Sequence, residues 1–133
     1  MLPSSSTKPE IDVAVVEDND AFRAALVSFL TGDGHKVLGF TSAEALDEAM
    51  PPCSPNLYLL DVNLPSEDGV SLAKRIRLRD PKVWLVLMSA QERSLLEELS
   101  QSCKADAYLS KPFEPVELLT LLELASKQPR KNG

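Results

Sequence analysis

Residues 57–65 read Leu-Tyr-Leu-Leu-Asp-Val-Asn-Leu-Pro. Four apolar residues run directly into an acid, and a carboxylate in the middle of a central strand is costly unless the strand ends there. Asp61 therefore marks the carboxyl end of a buried strand. The same kind of ending recurs three times. Val13 to Val16 run into Glu17 and Asp18, Trp84 to Met88 into Ser89, and Ala107 to Ser110 into Lys111-Pro112. Parallel sheets gather their chemistry just beyond the carboxyl ends of the strands, so four such endings can converge on one pocket.

Outward from these endings, short apolar runs alternate with amphipathic stretches. The pattern predicts strands near 11–16, 36–40, 57–61, 83–88 and 106–109, and helices near 19–31, 42–49, 68–79, 91–102 and 114–126. Five βα units in strict alternation imply a parallel sheet with helices on both faces and right-handed crossovers. In the first helix Phe22, Leu26, Phe29 and Leu30 share a stripe, Asn19 or Asp18 is the expected N-cap, and Gly32 and Gly34 end it. Pro81 closes the third helix, because proline cannot continue one. Residues 1–10, rich in Ser and Pro, are expected to be a disordered leader. Residues 11–126 form the domain, and 127–133 read as a tail or the start of a linker.

A length of 133 residues suits one domain with its own core, and a net charge of −6 argues against direct nucleic-acid binding by it. No apolar run approaches the roughly 20 residues needed to span a bilayer, and the opening residues lack the pattern of a signal peptide. Cys53 and Cys103 have neither metal-ligand spacing nor the density of a disulfide scaffold. Both read as free thiols, and a cytoplasmic location is expected.

Glu17, Asp18 and Asp61 at one sheet edge are three like charges that call for a proton or a cation. Oxygen-only ligands suit Mg²⁺ or Mn²⁺ better than zinc. His35, the one histidine, falls in a predicted turn away from the strand ends and is expected to be an ordinary surface residue. Each acid has a plainer reading too. Glu17 and Asp18 can be helix caps, Ser89 a helix-start residue, and Lys111 a solvated turn lysine, although a lysine ending a strand beside three acids is better explained as their counter-charge.

Taken together, Glu17-Asp18, Leu60-Asp61-Val62-Asn63-Leu64-Pro65 with Asp68-Gly69, Met88-Ser89-Ala90, and Ala105 to Phe113 with Lys111-Pro112 resemble the receiver domain of two-component response regulators. The phrases around Asp61 and Lys111 are most similar to receivers of the winged-helix, DNA-binding class. The resemblance covers residues 11 to about 126. It implies a flavodoxin-like three-layer fold with strand order 2-1-3-4-5 and the site at the switch between strands one and three. It further implies that Asp61 accepts a phosphoryl group from a sensor histidine kinase. Asp18, Asp61 and the backbone carbonyl of Asn63 would hold Mg²⁺ directly, and Glu17 through water. Lys111 would neutralise the phosphoryl, Ser89 would bond it, and Tyr108 would turn inward to change the face of the fourth helix, fifth strand and fifth helix for a downstream effector domain or protein. Lys111-Pro112 is expected to be cis, Gly69 to relieve crowding at the third helix's start, and Pro65 to shape the loop after Asp61.

Some positions depart from that class. Where it carries a second acid and an arginine that pair across a dimer, this chain has Ala107 and Leu121. A homodimer through the face of the fourth helix, fifth strand and fifth helix would therefore rest on something other than the usual salt bridges. Leu118, Leu119, Leu121, Leu122 and Leu124 point in too many directions for one buried stripe, so Leu124 is expected at the surface. Lys104 stands where relatives often have glycine, which leaves the end of the fourth helix open. Asn63 and Gln91 flank the path of an attacking water, and dephosphorylation at a moderate to fast rate is expected. A Mg²⁺-dependent phosphohydrolase would need an acid at position 63, and a non-phosphorylated pseudo-receiver would not need the complete set of Glu17, Asp18, Asp61, Ser89 and Lys111.

Overall fold

Five runs short enough for strands and five amphipathic stretches long enough for helices sort into three layers. The computed structural model describes residues 10–50 and 55–127. In chain order the elements are β1 (Asp12–Val16), α1 (Asp20–Gly32), β2 (Lys36–Phe40), α2 (Ala43–Ala49), β3 (Leu57–Asp61), α3 (Gly69–Arg79), β4 (Trp84–Ser89), α4 (Arg93–Ser102), β5 (Ala107–Ser110) and α5 (Pro115–Lys127). The strands make one parallel sheet in the order β2-β1-β3-β4-β5, the order the resemblance implies. Residues 1–9 and 128–133, which carry most of the expected leader and tail, lie outside the described residues, as does Cys53.

Side chains alternate along a strand, so each central strand feeds two cores. Ala14, Val16, Tyr58, Leu60, Leu85 and Leu87 pack against α2, α3 and α4 through Leu46, Leu72, Ile76 and Leu96. Val13, Val15, Leu57, Leu59, Val86 and Met88 pack against α1 and α5 through Leu26, Leu30, Leu118 and Leu122. A strand buried on both faces has little use for polar residues, which is why these runs are continuously apolar until the strand ends. The chain leaves β1 to opposite sides, toward β2 and β3, and this opens a crevice at the carboxyl ends of β1 and β3.

Local chemistry sets the boundaries. Asn19 is the N-cap of α1, its side chain accepting from the Phe22 N–H at 2.8 Å. Ser42 and Asp68 cap α2 and α3 in the same way. The fourth helix starts at Arg93, two residues later than expected. Ser89 Oγ accepts the Gln91 N–H at 3.1 Å and holds 89–91 in a loop, and Glu92 makes no side-chain cap. Strand β5 starts at Ala107 because the Asp106 carboxylate is engaged sideways, accepting from Leu85 N–H at 2.9 Å and from Arg77 Nη2 at 3.0 Å.

Arg77 is buried at the far end of the sheet from the crevice and ties three segments together. Its guanidinium donates to the carbonyls of Val83 at 2.7 Å and Pro81 at 3.1 Å, and through Nε and Nη2 to that of Lys104. Helix α4 ends at Ser102, and Lys104 takes φ +59°, a conformation that favours glycine. The grip of Arg77 on its carbonyl holds that turn without one.

His35 corrects the expectation of a surface residue. It is only 8% exposed, and it clips the starts of β1 and β2 together. Its Nδ1 accepts from the Ile11 N–H at 3.2 Å, while Nε2 donates to Asp33 Oδ2 at 3.2 Å. Cys103 is a buried free thiol, and burial pushes its pKa up.

Candidate functional site

The ladder register brings the acids to one place. Val16 pairs with Leu60 and Asp61 with Met88, so Glu17 and Asp18 follow the end of β1 beside Asp61, and Ser89 follows on β4. The Glu17 N–H donates to the Phe40 carbonyl at 3.0 Å, which turns its side chain into the crevice, and Glu17 Oε2 accepts from the Asn19 N–H at 3.0 Å. Glu17 is 1% exposed and Asp61 5%, whereas Asp18 is open to solvent. One carboxylate oxygen from each of the three lies within 4.8 Å of the others.

Lys111, the residue after β5, reaches into this group. Its Nζ donates to Glu17 Oε1 at 2.8 Å and to Asp61 Oδ1 at 3.3 Å, and its N–H donates to the Ser89 carbonyl at 2.8 Å. The Lys111-Pro112 peptide is cis. One ammonium against three carboxylates leaves the cluster short of positive charge. Burial raises the pKa of Asp61, Lys111 opposes that, and the charges of Glu17 and Asp18 add to it. An all-oxygen donor set with excess negative charge fits a hard divalent cation.

Space at Asp61 is set by Gly69. Its N–H donates to the Val62 carbonyl at 2.9 Å, and a Cβ at this position would overlap the carbonyl oxygen of Asp61. The crowding expected at the third helix's start is therefore real. Ser89 is fully buried at the pocket's edge, and its bond to Gln91 uses an oxygen lone pair, which leaves its O–H as a donor. Asn63 lies exposed in the loop after Asp61. Tyr108 is outside the pocket, half-buried on β5 against the α2, α3 and α4 side of the core.

Three side chains, Phe22, Phe113 and Arg23, contribute to the site without having been read from the sequence as site residues. The Phe22 ring, which in sequence reads as one more member of the apolar stripe of α1, has Lys111 Nζ over it at 4.6 Å from its centroid. Phe113 meets that ring edge-on, centroids 5.9 Å apart at 73°. Arg23, one turn into α1, donates through Nη1 to the Glu17 carbonyl at 2.8 Å and through Nη2 to Asp20 at 2.7 Å.

A parallel sheet in this order with acids at its switch point and a lysine after its last strand defines a receiver, and the comparisons agree. The family model for the response regulator receiver domain matches residues 13–123, and the chain belongs to that family. It is 35% identical over 120 residues to the transcriptional regulatory protein CssR of Bacillus subtilis, covering 87% of this chain and 53% of that protein. It is 34% identical over 113 residues to the virulence transcriptional regulatory protein PhoP of Salmonella typhimurium, covering 84% and 50%. The chain thus spans about half the length of these curated relatives, whose names as transcriptional regulators accord with the resemblance to the DNA-binding class. Among solved structures, a CheY-like response regulator receiver domain protein from Methanospirillum hungatei shares the fold with a TM-score of 0.82 at 22% identity, covering 90% of this chain and 96% of that one. Among the described residues no helix is long and apolar enough to cross a membrane.

Proposed function

We propose that this domain is a phosphorylation-driven signalling switch with Asp61 as phosphoacceptor. The observation that carries this is the buried Asp61 carboxylate held against Lys111 Nζ, with Glu17 and Asp18 alongside. In the proposed reaction an Asp61 oxygen attacks the phosphorus of a sensor kinase's phosphohistidine. The P–N bond breaks, its electron pair returns to the imidazole, and an acyl phosphate is left on Asp61. Such a transfer asks for in-line positioning and charge neutralisation more than for covalent chemistry.

Asp18, Asp61 and the Asn63 carbonyl would hold Mg²⁺ or Mn²⁺ directly and Glu17 would do so through water, and the ion would supply part of that neutralisation. Lys111 supplies the rest. It faces two carboxylate partners before transfer and turns its charge to a phosphoryl oxygen after it. The free O–H of Ser89 then donates to the phosphoryl, drawing the 89–91 loop inward, and Tyr108 follows. The face of α4, β5 and α5 changes, and a downstream effector domain or protein reads the change.

The domain acts in the cytoplasm, catalyses only its own phosphotransfer and dephosphorylation, and does not itself bind nucleic acid. Incubation with acetyl phosphate and Mg²⁺ followed by intact-protein and peptide mass spectrometry tests the assignment. One phosphoryl group on the peptide holding Asp61, absent from Asp61→Asn, is the expected result. An unmodified, folded wild type sinks it.

A further inference from the structure

We infer that Phe22 is a positioning residue for Lys111, its ring face holding the ammonium at the mouth of the pocket; this rests on the phosphoacceptor reading above. Lys111 Nζ has three N–H donors. Two are spent on Glu17 Oε1 and Asp61 Oδ1, and Nζ lies 4.6 Å from the Phe22 centroid, within the range of a cation–π contact. The partners differ in what they can do besides holding a cation. Glu17 would meet the metal through water, and Asp61 would hold it and is the group to be modified, so each carboxylate has another partner to serve during the proposed cycle. The ring can neither ligate a hard cation nor accept a phosphoryl group. It is the one neighbour of the ammonium, among the contacts described, that stays available before and after transfer.

The ring is itself held in place. Phe113 makes a T-shaped pair with Phe22, and Phe113 follows directly on the Lys111-Pro112 pair. Residues 111 and 113 therefore both contact the same side chain and couple the start of α1 to the turn after β5. Arg23, next to Phe22, bonds the Glu17 carbonyl and fixes this end of α1 against the strand that carries the acids. A purely core-filling phenylalanine needs no particular orientation toward a charge, whereas here its face is the part presented to Nζ.

The test uses the whole chain, with Phe22→Leu, which keeps apolar bulk without a π face, and Phe22→Tyr, which keeps the face. In the metal-free protein the Lys111 ε-methylene protons are followed by ¹H–¹³C NMR, and beryllofluoride affinity is then titrated with Mg²⁺. The expected result is an upfield ring-current shift of Lys111 in wild type and Phe22→Tyr that is lost in Phe22→Leu. A roughly fivefold loss of beryllofluoride affinity, the size of one cation–π contact, accompanies it in Phe22→Leu only. A Lys111 signal without ring-current shift in wild type overturns the inference. So does equal affinity of wild type and Phe22→Leu, or a Phe22→Tyr protein that fails alongside Phe22→Leu. A folded wild type that shows the Lys111 shift and binds no beryllofluoride overturns the phosphoacceptor reading instead, and with it the role assigned to Phe22.

Discussion

Gly69 and Asp61 touch so closely that no side chain fits between them. The Gly69 N–H bonds the Val62 carbonyl at 2.9 Å, and an added Cβ would overlap the Asp61 carbonyl oxygen and approach Val62 Cα at 3.0 Å. The first residue of α3 is thereby seated on the backbone of the acid itself. Both obstacles are backbone atoms, which cannot swing aside as a flexible side chain would. Gly69→Ala is expected to cost about 1–3 kcal/mol, the usual range for overpacking that shifts backbone. The melting temperature should fall by several degrees, with weaker beryllofluoride binding as Asp61 is displaced. An unchanged melting temperature contradicts the contact.

The charge on Asp61 sets a pH dependence. Burial holds its folded pKa above the ordinary value of 3.8, so the folded state binds this proton more tightly than the unfolded chain does. Its contribution is most favourable at low pH and is lost as pH rises through the folded pKa. Asp61→Asn is therefore expected to melt above wild type at pH 7 by roughly 2–5 °C, with the gap closing as the pH falls toward 3.8. Millimolar Mg²⁺ should raise the melting temperature of wild type and leave the variant almost unmoved, since only the former keeps the full acid set. Thermal scans across pH, with and without Mg²⁺, check both halves.

Removal of the Arg77 side chain should be among the most damaging changes outside the pocket. It would take the cationic partner from the Asp106 carboxylate, which keeps the Leu85 N–H, and leave the carbonyls of Val83 and Lys104 without their guanidinium donor. Arg77→Ala is expected to cost about 3–5 kcal/mol in urea denaturation. Arg77→Lys should recover only part of this, because one ammonium cannot reach carbonyls on both sides and the carboxylate together. Full stability in the lysine variant would show that the planar fork is not needed.

Leu124 is 41% exposed, and Val116, two turns earlier on the helix, is 64% exposed. With Leu121 where related receivers carry a pairing arginine, self-association through α4, β5 and α5 would be apolar. If activation drives such a dimer, Leu124→Glu should weaken it about tenfold or more, or 1.4 kcal/mol, in sedimentation with beryllofluoride present. Unchanged association in the variant counts against this face.

Asn63 is exposed in the loop after Asp61, and Gln91 follows Ser89 by two residues with its Oε1 buried and unpartnered. Neither amide ionises, and both can orient a water toward an acyl phosphate. Phosphorylated protein is expected to decay in minutes rather than hours and more slowly once either amide is replaced by an apolar residue. A slow decay indifferent to both substitutions would remove them from the reaction.

The acids and Lys111 were legible in the chain because each stands where an apolar strand stops, and a sheet buried on both faces enforces that stop. The number of strands and helices followed from the same alternation, whereas the strand order came only with the resemblance to receivers. Phe22 was legible only as core, since hydrophobic periodicity reports that a side chain is covered and not what covers it. His35 and Arg77 escaped for a related reason. Each is held in part by a backbone group from a distant segment, the Ile11 N–H for one and the Lys104 carbonyl for the other, and no spacing in the chain announces such bonds. The start of α4 moved because Ser89 spends its oxygen on a loop N–H, a choice that depends on where β4 ends.

The claim on which the rest depends is that Asp61 accepts the phosphoryl group, and beryllofluoride with Mg²⁺ reaches it most directly. The titration is best followed by amide ¹H–¹⁵N NMR on wild type and Asp61→Asn. Trp84 pairs with Leu57 at the opposite end of the strands from Asp61, about 13 Å along the sheet, and its fluorescence would be a distant witness. Saturable, Mg²⁺-dependent shifts centred on Glu17 to Asn19, Asp61 to Asn63, Ser89 and Lys111, spreading to Tyr108 and absent from Asp61→Asn, are the expected result. A folded wild type whose spectrum ignores beryllofluoride, or a variant that responds as wild type does, contradicts the assignment.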